Sequence, residues 1–507
     1  MADASQSLRV AKKIPDNLYE LCLTNLVNYL QKSKCHRDDL HSLPDTILMD
    51  VYYKMLQEKR LCILGSELAA LDTFERLVRC SGAQLRLLQC FQAVIEHGSK
   101  LPSELACVYL ARCDAPRHRR AYLIQLGLRL GGFLNEAGWY ADAERVLMRC
   151  IQLCQAQPQT TYCRRLTLEC AHRLLNTQSA YCSFPGAAET YALSLQILGL
   201  PADTQDAPPE PPRRGCGRGG GMWPRRLTPW RTVTSSKQFQ EQKNKKSAEY
   251  SALRPAASPN IRYSVFGQFT IRGNTSLHPL VAKPGHVIGP LRLQEPASPS
   301  GSVTSSPVEG LRHLLPRVYK EFSALFFVRC DYNAAYTWGM HALRLLHNDT
   351  PPKITVEVLR ACAKACVVKR RFVRAGSLIR AAVALARRTF GPQHPRLAHA
   401  LLDYGFYLLN VDSINHSVAV YEEALSCLRR VFGRSSLHVA TAQEDLAYAL
   451  YVLEYSSGRF YKARDHAERA IRIIEMPATH RHVATAQEDL AYALYVLELL
   501  SRSCNGK

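Results

Sequence analysis

The chain has 507 residues, of which 47% are hydrophobic and 21% are charged. These values are ordinary for a globular protein and exclude a fibrous or wholly disordered chain. Lys and Arg number 65 against 43 Asp and Glu, and the resulting net charge of +22 favours an acidic or anionic partner over a neutral one. Eighteen cysteines without an apolar N-terminal leader predict a reducing compartment, and the lack of 18 consecutive apolar residues predicts no membrane-spanning helix.

The first predicted element is an amphipathic helix over residues 17–30, NLYELCLTNLVNYL, with Asp16 or Asn17 as its cap. Three of its residues recur every four positions and share one face: Leu18, Cys22 and Leu26. The spacing Leu-x-x-x-Cys-x-x-x-aliphatic is that of a BC box, which docks on Elongin C in the Elongin B/C pair. Asn17 departs from the Ser, Thr, Ala or Pro that usually precedes the leucine. These residues are the predicted Elongin C contacts.

A second docking pattern, LPDTILMDV, begins seventeen residues after Leu26. It fits the hydrophobic-Pro-x-x-hydrophobic-x-x-x-hydrophobic pattern of a cullin 2 box, with the predicted contacts Leu43, Pro44, Ile47 and Val51. Proline suits the first turn of a helix, and the three apolar residues then share a face. The order and separation of the two patterns predict a helical docking module over residues 14–70. The alternative interpretation is two helices that only pack on the repeats after them.

Residues 201–310 differ in composition from the rest of the chain. They hold 15 of the 27 prolines, 11 of the 27 glycines and a net charge of +8. Such a segment buries too little apolar surface to offset its ordering entropy, so we predict a disordered insert. Its Gly-Arg cluster and tryptophans also leave open a weaker hypothesis, RNA binding by charge and stacking.

Elsewhere the apolar residues recur at helical spacing, which predicts an all-α fold. Small residues recur in a frame of offsets 12 and 19 and predict helical hairpins with a period near 42 residues. The frame is Gly131, Ala143 and Cys150; Ser323, Ala335 and Ala342; Ala363, Ala375 and Ala382; Gly405, Ser417 and Ala424; then Ala470. We therefore predict helical repeats over 71–200, with the first clear one near 127–160, and again over 311–498.

This frame resembles the tetratricopeptide repeat in the 42-residue form of kinesin light chains, where a Phe-Gly-x-x-His-Pro connection joins successive units. Residues 390–395 match that connection fully, and residues 432–438 match it with a longer gap and no proline. The resemblance implies an α-solenoid whose groove binds an extended peptide or a partner's tail. The basic run 368–374, VKRRFVR, is expected at a solvent-exposed turn.

No catalytic or cofactor motif occurs. The segment GRGGGMW lacks the Gly-Lys-Ser/Thr ending of a phosphate-binding loop, and neither His-Glu-x-x-His nor Gly-x-Ser-x-Gly is present. The pairs Cys150 with Cys154 and Cys362 with Cys366 fit buried core residues better than metal ligands. We predict a binding protein that is not an enzyme and needs no cofactor or metal.

The carboxyl end repeats itself. Residues 438–454 and 482–498 both read HVATAQEDLAYALYVLE, identical at all 17 positions. Because other repeats share only the small-residue frame, this identity suggests a recent duplication or a splicing or assembly artefact. The second copy is a first helix without its partner, so we expect an incomplete last repeat followed by a tail over 499–507.

Several segments together resemble the tetratricopeptide-repeat substrate receptors of cullin 2 RING ubiquitin ligases over roughly residues 14–200 and 315–475. They are DVYYKMLQEKRLCILGSEL (50–68), LGGFLNEAGWYADAE (130–144), ACVVKRRF (365–372), LLDYGFYLLNVDSI (401–414) and HVATAQEDLAY (438–448). The resemblance implies a receptor of carboxyl-terminal degrons with Arg three residues before a terminal Gly, which leads to ubiquitin-dependent degradation. It identifies no degron-binding residues.

The resemblance also implies the cytoplasmic tail of amyloid precursor protein and microtubules as partners, a role in protein transport, and a location in cytoplasm and nucleus with association to cytoskeleton or membranes. The competing hypothesis is therefore a cargo adaptor whose positive field attracts acidic microtubules.

Overall fold

The computed structural model describes the parts of the chain that contain the predicted docking module and repeats. These are residues 17–32, 40, 42–80, 82–115, 120–200, 311–454 and 461–475. The predicted insert, the second copy at 482–498 and the predicted tail lie outside the described residues.

Eighteen helices and no strand occur in the described ranges, which confirms the predicted all-α class. The first six are α1 (Leu18–Lys32), α2 (Asp45–Gln57), α3 (Leu61–Leu68), α4 (Leu71–Arg79), α5 (Gln84–Glu96) and α6 (Leu101–Asp114). Two helical hairpins precede residues 201–310: α7 (Arg120–Ala137) with α8 (Tyr140–Gln155), and α9 (Thr161–Ala180) with α10 (Phe184–Leu198). A third hairpin, α11 (Leu315–Val328) with α12 (Tyr332–Arg344), follows that segment. Three more are α13 (Pro352–Val368) with α14 (Phe372–Phe390), α15 (Pro395–Asn410) with α16 (Ile414–Phe432), and α17 (Leu437–Glu454) with α18 (Tyr461–Glu475).

The small-residue frame lies where the two helices of each hairpin touch, and all its members are buried. A Cβ on Gly131 would lie 2.6 Å from the Leu147 side chain, so the helices approach too closely for a larger residue. In two hairpins the frame also forms a hydrogen bond across the pair. Ser323 Oγ donates to the Ala335 carbonyl at 2.7 Å, and Ser417 Oγ donates to the Gly405 carbonyl at 2.8 Å.

The turn inside each of the first five hairpins uses one residue with a left-handed backbone. The α7–α8 turn has Gly138 (φ 92°), and later hairpins place non-glycine residues at the equivalent position, Cys182, Cys330, Arg370 and Asp412. The connections between hairpins use Gly391 and Gly433, also with positive φ. These are the glycines of the Phe-Gly connections.

The first helices of the hairpins, α7, α9, α11, α13, α15 and α17, lie side by side and form the predicted α-solenoid. The N-terminal helices also contact the later repeats, since α5 packs on α16. Gln89 Nε2 donates to the Arg430 carbonyl at 3.1 Å, and the Glu96 carboxylate accepts from Arg434 N at 3.2 Å and Ser435 Oγ at 3.0 Å. The N-terminal helices thereby hold the last repeats in place.

Candidate functional site

The first helices line a concave groove with a cavity of about 630 Å³. Each of the six first helices contributes residues to the groove. The small-residue frame lies instead between the two helices of each hairpin. The charged side chains of the lining are Glu136, Arg173, Arg317, Lys320, Glu321, Lys353, Glu357, Arg360, Lys364, Arg396, Asp403 and Asp445. Both signs are thus present, and the groove suits a ligand that carries both.

Glu136, at the end of α7, holds one wall of the groove together. Its carboxylate accepts from Lys353 Nζ at 2.6 Å and from Arg396 Nη2 at 2.8 Å. Arg396 also donates to Glu357 at 2.6 Å, and His438 Nε2 contacts the Glu136 carbonyl at 3.0 Å. Burial would raise the pKa of Glu136, but the two cations outweigh it and the pKa is lowered. Glu136 therefore remains ionised and links α7 to α13, α15 and α17.

Asp403 on α15 forms a second ionic cluster. Its side chain is 8% exposed, accepts from Arg360 Nε at 2.6 Å and lies 3.5 Å from Lys364 Nζ. A carboxylate offers two oxygens with about four acceptor sites, so Asp403 retains acceptor capacity beside these partners. Asp403 is therefore the acidic side chain that α15 presents to a cation in the groove.

His172 on α9 is a buried polar group of the lining without a hydrogen-bond partner. The residue is 7% exposed, and neither ring nitrogen is hydrogen bonded to any described residue. Burial lowers its pKa well below the usual range, and the nearby cations, chiefly Arg173 and Arg317, lower it further. At neutral pH the ring is therefore uncharged, with one donor and one acceptor available to a ligand.

The N-terminal helix α1 presents one apolar face to its neighbours and another to solvent. Leu23 and Val27 are buried, whereas Leu18 is 77% exposed and Cys22 is also exposed. Leu26 is half-buried. The cap is Asn17, whose Oδ1 accepts from Glu20 N at 2.8 Å. Two of the three predicted Elongin C contacts are thus accessible, and the third lies at the margin.

The predicted cullin 2 contacts divide by accessibility. Pro44 is exposed and directly precedes α2, and Leu43 and Ile47 are half-buried. Val51 is 0% exposed, because this face of α2 packs into the core. The expectation that Val51 faces a partner is therefore corrected: its side chain supports α2 from within.

The predicted cysteine pairs lie in the core. Cys150, Cys154, Cys362 and Cys366 are fully buried free thiols. Within the described ranges, no three His, Cys, Asp or Glu side chains are placed to hold a metal ion, and no helix is long and apolar enough to cross a bilayer.

Sequence reasoning missed the groove residues. Glu136, His172 and Asp403 belong to no motif, and partners such as Glu136 and Arg396 are 260 residues apart. The sequence feature that could have indicated the groove is a set of polar residues at helical spacing on the first helices, on the face opposite the small-residue frame. Those polar positions predict a lined groove without indicating which charges meet.

Comparisons with known proteins give two kinds of match. No protein-family model matches the chain. Amyloid protein-binding protein 2 from Rattus norvegicus and from Mus musculus are each 35% identical to it over 476 residues, 92% of this chain. The chain spans 62% of the length of these relatives. Among solved structures, the crystal structure of BtubC (BKLC) from P. vanneervenii matches 39% of this chain and 85% of that one, with 17% identity and a TM-score of 0.29.

Proposed function

Because the chain is a homologue of amyloid protein-binding protein 2, a binding protein, we propose that it is the non-catalytic substrate-recognition subunit of a cullin 2–Elongin B/C RING ubiquitin ligase. In this role α1 and α2 bind the ligase scaffold and the groove binds the carboxyl-terminal tail of a substrate. The receptor contributes proximity, since it holds the substrate near the ubiquitin-transferring subunits.

The exposed stripe of α1 is the observation that carries this proposal. Leu18 and Cys22 lie four residues apart on the exposed side of a helix that buries Leu23 and Val27, and Leu21 on the same helix is 47% exposed. Burying a leucine side chain contributes about 1.5–3 kcal/mol, so leaving one 77% exposed has a cost that a partner would remove. A helix with an apolar anchor and a small neighbour is suited to a hydrophobic pocket of the kind a BC box enters.

For cullin 2, the accessible contacts are Pro44 with the exposed parts of Leu43 and Ile47. Tyr19 Oη on α1 donates to Asp50 on α2 at 2.7 Å, which fixes the two helices relative to each other. Elongin C and cullin 2 would therefore meet one connected surface.

The groove supports tail binding through its mixture of charges. A free carboxylate pairs with Arg or Lys, while the arginine of an Arg-x-x-Gly tail needs an acidic partner such as Asp403. Both kinds of group line the same cavity.

The docking proposal is tested with purified full-length chain and Elongin B/C. The double substitution Leu18→Ala and Cys22→Ala should abolish co-purification, whereas the control Val373→Ala, at an 88% exposed position far along the chain, should not. Full retention of Elongin C by the double variant would refute BC-box docking.

A second candidate function is a microtubule-associated cargo adaptor for the cytoplasmic tail of amyloid precursor protein. The supporting observation is that residues 358–402 hold ten Lys and Arg and no Asp or Glu. Several of these cations are exposed on or beside α14: Arg370, Arg374, Arg380, Arg387 and Arg388. Such a surface attracts acidic polymers.

Microtubule pelleting separates the two functions. The adaptor predicts salt-sensitive pelleting that persists without residues 1–60 and falls when Arg374, Arg380 and Arg388 are replaced by Gln. Pelleting that depends only on residues 201–310 would count against it.

A further inference from the structure

The charges of the groove are balanced, but a second cavity beside it, between α7 and α9, carries excess positive charge. Where α13 and α15 meet α7, each cation faces a carboxylate within 4 Å, as Lys353 and Arg396 face Glu136. Where α7, α9 and α11 meet, four arginines line the second cavity or pair with Glu169, the acidic residue of its lining. They are Arg129, Arg165, Arg173 and Arg317.

Side chains from α9 and α11 converge on Glu169 beside this second cavity. Arg173 Nη2 lies 2.9 Å from Glu169 Oε1, and Arg317 Nη1 lies 3.7 Å from the same oxygen. Arg165 forms no ion pair with any described residue and, together with Arg129, lines a cavity of about 350 Å³ between α7 and α9. Arg129 is 4.0 Å from Glu75, a carboxylate that already pairs with Arg79. The cluster therefore has positive charge in excess.

Unpartnered polar atoms in the adjoining groove wall lie beside two of the same arginines, Arg173 and Arg317. His172 is more than nine-tenths buried, and neither of its ring nitrogens has a partner among the described residues. Arg317 Nε is likewise buried without one. Both residues line the groove together with Arg173, which also lines the second cavity. Buried polar groups normally have partners, so two unpartnered groups beside an arginine cluster indicate a missing ligand.

We propose that the arginine cluster between α7, α9 and α11, where the second cavity adjoins the groove, is a phosphoryl-binding subsite. Arginine presents a planar fork that binds phosphate oxygens in a bidentate manner, and a phosphoryl group offers up to two negative charges and three acceptor oxygens. A single carboxylate would leave most of the excess charge uncompensated. The group is either free phosphate or a phosphoryl carried by a longer ligand in the groove. The subsite does not depend on the proposed ligase role.

The first experiment titrates the full-length chain with inorganic phosphate and with tripolyphosphate by calorimetry, at constant ionic strength set with chloride. The test variants are Arg165→Gln and the double Arg165→Gln with Arg317→Gln. The control is the double Arg374→Gln with Arg388→Gln, which removes two exposed arginines from α14. We expect tripolyphosphate affinity to fall at least tenfold in the double test variant and to stay within twofold in the control.

The second experiment distinguishes the source of the phosphoryl group. An immobilised set of random 12-residue peptides with a central phosphoserine is compared with the same set containing serine. Binding of the free anions that depends on Arg165 identifies a small-anion site, and preferential retention of phosphopeptides that depends on Arg165 identifies a phosphorylated ligand. No phosphate-specific binding in either format, or an equal loss in the α14 control, would overturn the proposal. Because Arg165 is exposed and forms no ion pair with a described residue, its substitution should leave the fold intact, and Elongin docking through α1 reports separately on the proposed function.

Discussion

The Arg396 guanidinium donates to the Glu136 carboxylate at 2.8 Å although 260 residues separate the two in the sequence. This bond, with Lys353 on the same carboxylate, ties α7 to repeats that follow residues 201–310 in the sequence. The groove is therefore bounded by an ionic contact as well as by helix packing.

We predict that Glu136→Gln weakens the contact of α7 with α13 and α15. The substitution removes the charge that Lys353 and Arg396 share, and a charge-assisted hydrogen bond contributes about 1.5–3 kcal/mol. The expected result is a loss of about 1–3 kcal/mol in the free energy of unfolding and faster hydrogen exchange in α15 and α17. Glu422→Gln, at an exposed position on α16, is the control and should change neither. Unaltered exchange in α15 would show that packing alone closes the array.

How much of the fold and the groove could be predicted from the sequence depends on how far apart in the sequence the interacting residues are. The hairpins were predictable because Gly405 and Ser417 interact across 12 residues, within one repeated unit. The capping of α1 by Asn17 was predictable for the same local reason. The contact of Glu136 with Arg396 was not, since it depends on how the curvature of several successive repeats accumulates.

The error at Val51 has a related origin. Residues spaced three or four apart share a helix face, but spacing does not tell whether that face meets solvent or the core. Leu18 and Val51 both fit docking patterns, yet the first is 77% exposed and the second is fully buried. Burial is decided by the helices packed around α2, which no motif encodes.

Mild acid should destabilise the fold through His438. Burial lowers its pKa to about 4, with the Glu136 carbonyl contact opposing the shift. The unfolded chain has a histidine pKa of about 6.5, so it binds more protons between these values and stability falls as pH decreases from 7 towards 4. We expect about 1 kcal/mol from His438 at pH 5.5. Denaturant unfolding at pH 7.5 and 5.5 measures this, and His438→Gln should reduce the difference. An undiminished difference would assign the effect to other groups such as His394 and His399.

Gly391→Ala should destabilise the chain although there is space for the methyl group. Apart from its chain neighbours, no described residue has an atom within 4 Å of the added Cβ, but the backbone of Gly391 has φ 87° and ψ 171°, a region almost restricted to glycine. The expected cost is about 1–3 kcal/mol, measured by denaturant unfolding. Gln393→Ala in the same connection is the control and should change stability by less than about 0.5 kcal/mol. Equal effects of the two would contradict the assignment to backbone strain.

Gly405→Ala tests the close approach inside a hairpin. A Cβ there would lie 2.6 Å from the buried Tyr421 ring, and a rigid ring has no room to move. Overpacking of this kind costs about 1–3 kcal/mol, which should exceed the gain in helix propensity. Gly65→Ala in α3, where the new Cβ would lie 3.1 Å from a Val94 methyl, is the milder comparison. A neutral Gly405→Ala would mean that the hairpin can separate without penalty.

Asp403→Asn should reduce binding of tails that end in Arg-x-x-Gly, if the groove is the tail site. The Asp403 carboxylate has acceptor capacity beside Arg360 and Lys364, and a charged hydrogen bond contributes about 1.5–3 kcal/mol, or ten- to hundredfold in affinity. Fluorescence anisotropy with a labelled 12-residue peptide measures the loss. A matched peptide with Gln in place of the Arg separates recognition from misfolding: it should bind weakly to the original chain and no more weakly to the variant, since the interaction is already absent. Equal losses for both peptides would indicate a damaged groove, and no loss for the arginine peptide would exclude Asp403 as its acidic partner.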